Sequence, residues 1–313
     1  MHILLLGGSG FLGTRLSCIL TDRGHRVDVV TRGADNRSRI ERTGARAIVG
    51  DFVHEAPAVL EHAGKPDAVV LIAAPRLFGR RLTERRIRTY RAEVTAIFRA
   101  TIAFGRRLDR PLVLSSGTSF RTRGEEVADE TWPIERFGAT RIGEQTDEIV
   151  ASAVAASQPL IQMLPGQIYG PGGMFKAIVD MARRGRNGFF GDGSNRIPKI
   201  YVDDCAEAFA LAVERSSSLP PGTRYIVADD VACTSREFSE ELSRCLKLGP
   251  PRRIPAFVAR LVIGRALYET VTANCRVTNE KLKRELGWRP RHPSFREGVP
   301  AAVSALERGE ILP

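Results

Sequence analysis

Short continuous apolar runs alternate along the chain with longer stretches in which apolar residues recur at helical spacing. His2–Leu6 reads as a buried strand, Phe11 to Arg23 as an amphipathic helix, and Arg26–Val30 as a second strand ending at Thr31-Arg32. Ala45–Val49 is a third strand. Ala68–Ala74 is apolar throughout, as expected of a parallel strand covered on both faces. A long helical segment follows from about Thr83 to Gly105, and Pro111–Leu114 is another buried strand. Repeated strand–helix alternation predicts an α/β fold, a Rossmann-type doubly wound parallel sheet with ligands at the strand C-termini. A dinucleotide-binding domain over 1–165 and a smaller C-terminal substrate-binding lobe over 166–313 are expected, with some later elements returning to the first unit.

The turn after the first strand is Gly7-Gly8-Ser9-Gly10-Phe11-Leu12-Gly13. A glycine turn between a strand and a helix is the setting of a dinucleotide-binding fingerprint. Gly7 permits the tight turn, Gly10 admits a pyrophosphate onto the helix N-terminus, and Gly13 lets the helix pack closely on the sheet. An acidic residue at the end of the second strand normally takes the ribose hydroxyls of NAD. Thr31 and Arg32 stand there, with Arg37 and Arg39 close by. A guanidinium holds a 2′-phosphate that a carboxylate would repel, which favours NADP(H) over NAD(H); alternatively Arg32 simply faces solvent. The remaining candidate cofactor contacts are Ser9, Asp51 and Phe52, Ala73 and Ala74, Ser115, Pro165 and Gln167.

Composition narrows the partners. The chain has 313 residues, 43% of them hydrophobic, enough for a sizeable core. No apolar run approaches the roughly 20 residues that cross a bilayer, so no membrane partner is expected. Five scattered cysteines with no C-x-x-C pair suit reduced thiols in a cytoplasm and argue against structural zinc. The net charge is +11 and comes almost entirely from arginine. The densest cluster is Arg76, Arg80, Arg81, Arg85, Arg86, Arg88 and Arg91. It carries no RNA-binding signature, so it reads as a solvated face and nucleic acid is a poor fit.

The glycine turn joins a longer set of motifs: Gly50-Asp51, Ala73-Ala74, Ser115-Ser116, Leu164–Gly172, Gly191-Asp192-Gly193 with Arg196, Ile200–Asp204 and Leu286-Gly287-Trp288-Arg289-Pro290. As a set, in this order, they resemble the extended short-chain dehydrogenase/reductases, the NAD-dependent epimerase/dehydratase family. The resemblance implies a small-molecule substrate such as a nucleotide sugar. It also implies phosphate contacts from Gln167 and Arg196, and from Arg276 in a less secure register, and a homodimer paired through helices near 83–105 and 135–155. In that family a tyrosine, with a lysine four residues later, exchanges the proton with the substrate oxygen.

The chain departs from the family at that point. Pro133–Arg141 opens the corresponding helix, and there Phe137 replaces the tyrosine and Arg141 the lysine. Phenylalanine has no proton to give, whereas a permanently charged arginine can still hold ribose hydroxyls. The family's hydroxyl falls on Gly117, between Ser116 and Thr118. Three readings follow: an NADP(H)-dependent oxidoreductase relaying its proton through Thr118, Ser116, Tyr169 or water; a scaffold that keeps the cofactor without catalysis; and an RNA-binding atypical member. Tyr169 serves equally as packing beneath a nicotinamide. Asp203 and Asp204 precede a helix over Cys205–Val213 and read as its N-caps.

Overall fold

The structure, a computed structural model, describes residues 1–73 and 81–313. The expected contact Ala74, and Arg76 and Arg80 of the arginine cluster, lie outside the described residues. The first half of the chain contributes β1 (His2–Leu6), α1 (Phe11–Asp22), β2 (Arg26–Thr31), α2 (Arg37–Glu41), β3 (Arg46–Val49), α3 (Ala56–Ala63), β4 (Ala68–Leu71), α4 (Glu84–Leu108), β5 (Leu112–Ser115), α5 (Glu144–Ala155) and β6 (Leu160–Pro165). The second half adds β7 (Gln167–Tyr169), α6 (Gly173–Arg183), β8 (Gly188–Phe190), β9 (Arg196–Ile197), β10 (Lys199–Tyr201), α7 (Val202–Glu214), β11 (Thr223–Val227), β12 (Cys233–Thr234), α8 (Ser235–Cys245) and β13 (Arg252–Ile254). Four helices follow: α9 (Ala256–Ile263), α10 (Arg265–Thr272), α11 (Glu280–Leu286) and α12 (Phe295–Glu307).

Seven strands form one parallel sheet in the order β11-β6-β5-β4-β1-β2-β3. Successive strand residues face opposite sides. Ile3 and Leu5 of β1, with Val70, Val113 and Ile161, therefore join the core beneath α1 and α7. Leu4 and Leu6, with Val69, Leu71, Leu112 and Leu114, face the layer of α3, α4 and α5. The strand order reverses between β1 and β4, where an open α/β sheet presents its ligand crevice. Here the loops after both strands touch, and the amides of Ile72 and Ala73 both donate to the Leu6 carbonyl at 3.0 Å. Late elements return to this unit: β11 extends the sheet beside β6, and α7 lies on α1, clasped by a forked Arg15–Asp203 pair at 2.7 and 2.8 Å.

Two local expectations are corrected. The helix expected from Cys205 begins at Val202, so Asp203 and Asp204 lie in its first turn and do not cap it. Asp204 instead accepts the backbone N–H groups of Arg291 and His292 and the His292 ring, while Trp288 Nε1 donates to its carbonyl. That knot ties the C-terminal segment to the sheet layer. The stretch from Phe137 opens not as an α-helix but as a 3-10 turn over Gly138–Gly143, because Gly138 at φ +50° presses against the Ala266 carbonyl and Thr270 of α10.

The charged group buried most completely under the sheet edge is Asp28, at 0% exposure. Arg46 grips it with both guanidinium arms and His2 binds it at 2.8 Å. Burial alone would raise its pKa, but those bonds outweigh it and hold the group below its ordinary value of 3.8. The carboxylate therefore stabilises the fold above that value and loses its contribution as the pH falls through the lower folded pKa. Asp28→Asn is expected to cost about 2 kcal/mol in urea melts at neutral pH and to flatten the acid limb of the stability curve. Parallel curves for mutant and parent would contradict this.

Candidate functional site

The site begins where β1 hands over to α1. Gly7 has φ +95°, and a Cβ there would lie 2.5 Å from the backbone N and Cα of Ala73. A Cβ on Gly13 would lie 2.5 Å from Gly8, so this glycine lets the helix close on its own loop; the sheet contact expected from sequence belongs to Gly8, which sits against Val29 and Leu5. Gly10 differs from all of these. It has an ordinary extended backbone, and its nearest obstacle is the Gly7 carbonyl at 3.8 Å. It is also the N-cap of α1, with no side-chain cap and no acidic residue in the first turn, so the helix N-terminus keeps its positive end for an anion.

Side chains complete the cradle. Phe11 packs its ring toward Gly170 and Gly173, and Leu12 enters the core, so both present backbone to the crevice. Arg39 of α2 donates to the Ser9 carbonyl at 2.8 Å and to Asn36 Oδ1 at 2.6 Å, while its Nε is buried with no partner. A buried guanidinium N–H without an acceptor, on the loop that would receive phosphates, is the feature expected if an anionic ligand supplies the missing oxygen. Arg32 is exposed, with one arm 3.9 Å from Glu93, and Arg37 pairs outward with Glu41. The cation in contact with the glycine loop is thus Arg39, a neighbour in the sequence reading and the centre of this corner in space. The residues present fit a dinucleotide cofactor.

Asp51 lies at the end of β3, its Oδ1 accepting the Val53 N–H at 2.9 Å. Phe52, a candidate cofactor contact, is corrected as to its side chain: its ring is buried edge-on against Phe104. Further along the crevice, Ser115, Ser116 and Thr118 leave β5 alongside β6. The Ser116 amide donates to Met163, the Thr118 amide to Pro165, and Gln162 reaches the Ser116 hydroxyl at 3.3 Å. The half-buried Thr118 hydroxyl has no partner among the described residues. Gln167 opens β7, one residue beyond Gly166. Its Oε1 accepts from the buried Lys199, which leaves the amide N–H groups for other acceptors. Burial lowers the Lys199 pKa.

The stretch bearing Phe137 is built differently from a proton-transfer station. The Phe137 ring is buried beneath the Arg121 guanidinium, 4.1 Å from its centroid. The adjacent hydroxyls of Ser119 and Thr140 bind each other at 2.8 Å and serve backbone groups of Glu135 and Phe137. Arg141 is half-exposed between Glu84 at 3.6 Å and Glu144 at 3.4 Å.

Tyr169 is a second correction. Its hydroxyl donates to Asp229 at 3.2 Å, deep under α12, where a Cβ on Gly298 would collide with it. Burial, and then the Asp229 charge, push its pKa far above the usual range, and burial lifts Asp229 itself to about 7. This tyrosine is walled off from any ligand in the crevice.

The C-terminal elements form a cleft of about 520 Å³ lined by Phe190, Gly191, Asp192, Asn195, Arg253 and Tyr268 among others. Arg196, the expected phosphate contact, spends its guanidinium on the Ala232 carbonyl at 2.9 Å, and Arg276 is paired with Glu125. The lining arginine is Arg253, which donates to the Gly191 carbonyl at 2.7 Å. Sequence reasoning missed it because only the pairing of β13 with β8 brings it there.

A family model described as the NAD dependent epimerase/dehydratase family matches residues 3–228. A 3-diazoavenalumate denitrifying reductase from a Streptomyces species is 28% identical over 96% of this chain and 99% of its own. A 2-alkyl-3-oxoalkanoate reductase from Stenotrophomonas maltophilia is 30% identical over 80% of this chain and 77% of its own. In fold, the human epimerase family protein SDR39U1 with NADPH superposes with a TM-score of 0.76 at 22% identity, over 97% of this chain and 99% of that one. The fold and the glycine-loop crevice define an extended short-chain dehydrogenase/reductase. The chain belongs to the NAD-dependent epimerase/dehydratase family, within its oxidoreductase and epimerase class.

The glycine geometry separates folding from binding. Gly10→Ala is expected to leave the melting temperature unchanged while weakening nicotinamide dinucleotide binding at least about tenfold in a calorimetric titration. Gly7→Ala is expected to destabilise the fold by about 2 kcal/mol or more, because the added Cβ meets backbone at positive φ. Equal melting temperatures for both variants, or unchanged affinity for Gly10→Ala, would contradict this assignment.

Proposed function

We propose that the protein is an NADP(H)-dependent oxidoreductase acting on the carbonyl or alcohol of a small anionic metabolite, nucleotide sugars included, with Phe137 and Arg141 in place of the family's tyrosine and lysine. The observation that carries this reading is the corner at Ser9: an uncapped helix N-terminus, the buried unpartnered Nε of Arg39, and no carboxylate at the end of β2. Gly7, Ser9, Gly10, Phe11 and Leu12 would hold the pyrophosphate through their backbone, with Arg39 and Arg32 facing the adenosine 2′-phosphate. Asp51, Ala73, Ser115, Pro165 and Gln167 would border the rest of the dinucleotide. The bound nicotinamide supplies or takes up a hydride at the substrate carbon.

The chain's own work is then to bind the substrate and manage one proton. In the direction of reduction the substrate oxygen gains a proton as its carbon gains the hydride. Thr118 Oγ1, which has no partner among the described residues, would give its proton to that oxygen and regain one from water. Arg253 at the cleft supports an anionic substrate. Both relatives described above are named for carboxylates, which supports the same class. We further propose that copies pair through α4 and α5, where Ile102, Ala103 and Ile149 line a shallow cleft among Arg99, Arg106 and Arg107. Free cysteines at all five positions accord with a reducing cytoplasm.

One observation favours a second reading, a cofactor-binding scaffold without turnover: Arg121 covers Phe137, and Glu84 and Glu144 engage Arg141. NADPH oxidation against a panel of keto acids and keto sugars separates the two. The oxidoreductase reading expects turnover that falls about 10²-fold in Thr118→Val with unchanged NADPH affinity, and that rises in Phe137→Tyr as a proton donor is restored. Tight NADPH binding with no consumption by any carbonyl, in parent and Phe137→Tyr alike, would leave the scaffold reading standing.

A further inference from the structure

The three most exposed large apolar side chains among the described residues are Phe257, Leu261 and Val262, at 74, 68 and 64% exposure. All three lie on one eight-residue helix, α9. At roughly 100° per residue they sweep one side of it, with Val258 half-buried between them and Ala259 on the opposite side in the core. A soluble fold leaves single apolar residues exposed without consequence, but a continuous apolar helix side marks an interaction surface.

The charges around this side identify what covers it. Exposed Arg252 leads into the helix; Arg260 lies on its margin over the Tyr268 ring at 5.0 Å. Arg265, 84% exposed, follows its end and pairs with Glu269, and Arg81 is carried alongside by the bond from the Leu82 amide to the Ile263 carbonyl. Arg253 sits one residue deeper, bonded to Gly191 and beside Asp192. The acids at this face are Glu269, Glu84 and Asp192, leaving the arginines in excess. A short apolar helix side rimmed by arginines matches an anionic lipid surface, into which the apolar residues dip while the guanidinium groups meet phosphates.

We propose that α9 docks the protein on anionic phospholipid membranes, with Phe257, Leu261 and Val262 inserted at the headgroup level and the arginine rim holding the lipid phosphates. No helix among the described residues is long and apolar enough to cross a membrane, so this is attachment to one leaflet. The cleft lined by Arg253 and Tyr268 then opens beside the lipid surface, where an amphiphilic substrate can reach it.

The test is flotation of the full chain with vesicles of phosphatidylcholine, alone or mixed with phosphatidylglycerol, at low and high salt. Binding to the anionic vesicles is expected to exceed binding to the neutral ones by about tenfold or more and to weaken with salt. The double variant Phe257→Ser/Leu261→Ser is expected to lose about tenfold in anionic-vesicle binding with an unchanged melting curve, because both side chains are exposed. Arg252→Ser/Arg260→Ser is expected to lose the preference for anionic lipid. No vesicle binding by the parent, or binding that both variants retain in full, overturns the proposal. So does concentration-dependent self-association, in the absence of vesicle binding, that the apolar double variant abolishes; the face then belongs to a second copy of the chain.

Discussion

The close backbone approach at the switch point between β1 and β4 constrains everything else in the molecule. Gly7, Gly8 and Gly13 are pressed against Ala73, Val29 and one another at distances that admit no side chain. That crowding is the cost of swinging α1 directly over the sheet edge, and it leaves Gly10 alone with open space above its backbone. The helix N-terminus is uncapped at the same spot, and Arg39 crosses from α2 to the Ser9 carbonyl with a spare N–H. The two loops, the helix and the arginine form one anion-accepting corner, and the order of the strands dictates where it lies.

At the other end of the crevice, the stretch around Phe137 is closed by packing. A family tyrosine needs a free hydroxyl and a neighbouring cation. Here the corresponding ring is sealed beneath Arg121, and its local hydroxyls, Ser119 and Thr140, are spent on backbone carbonyls. Gly138, jammed against α10, turns the segment into a 3-10 helix and sets that arrangement. The backbone of Ser116 and Thr118 continues alongside β6, bonded to Met163 and Pro165, while the Thr118 hydroxyl has no partner among the described residues. On the proposed reading, the site therefore divides into a retained binding half and a rebuilt chemical half.

Much of the binding half was legible in the sequence. Local patterns report it directly: the strand–glycine–helix order, the apolar runs and the missing carboxylate after Val30 all act within a few residues. The C-terminal contacts were legible only in part, because they depend on pairings between distant segments. Arg253 reaches its cleft through β13 and β8, while Arg196 and Tyr169, which look like ligand residues in sequence, are claimed by Ala232 and Asp229. The ring of Phe52, another candidate contact, is taken by Phe104 across the core. The exposed side of α9 gave no warning, since an apolar octet reads as core until its neighbours are known.

The most direct test is a calorimetric titration of the protein with NADPH and with NADH, repeated for Arg39→Ala. The account predicts tighter binding of NADPH, and a loss in the variant of about tenfold or more for NADPH that is several-fold smaller for NADH. Failure of either nucleotide to bind, or equal binding of both with equal losses in the variant, would contradict a phosphate-holding corner built on Arg39.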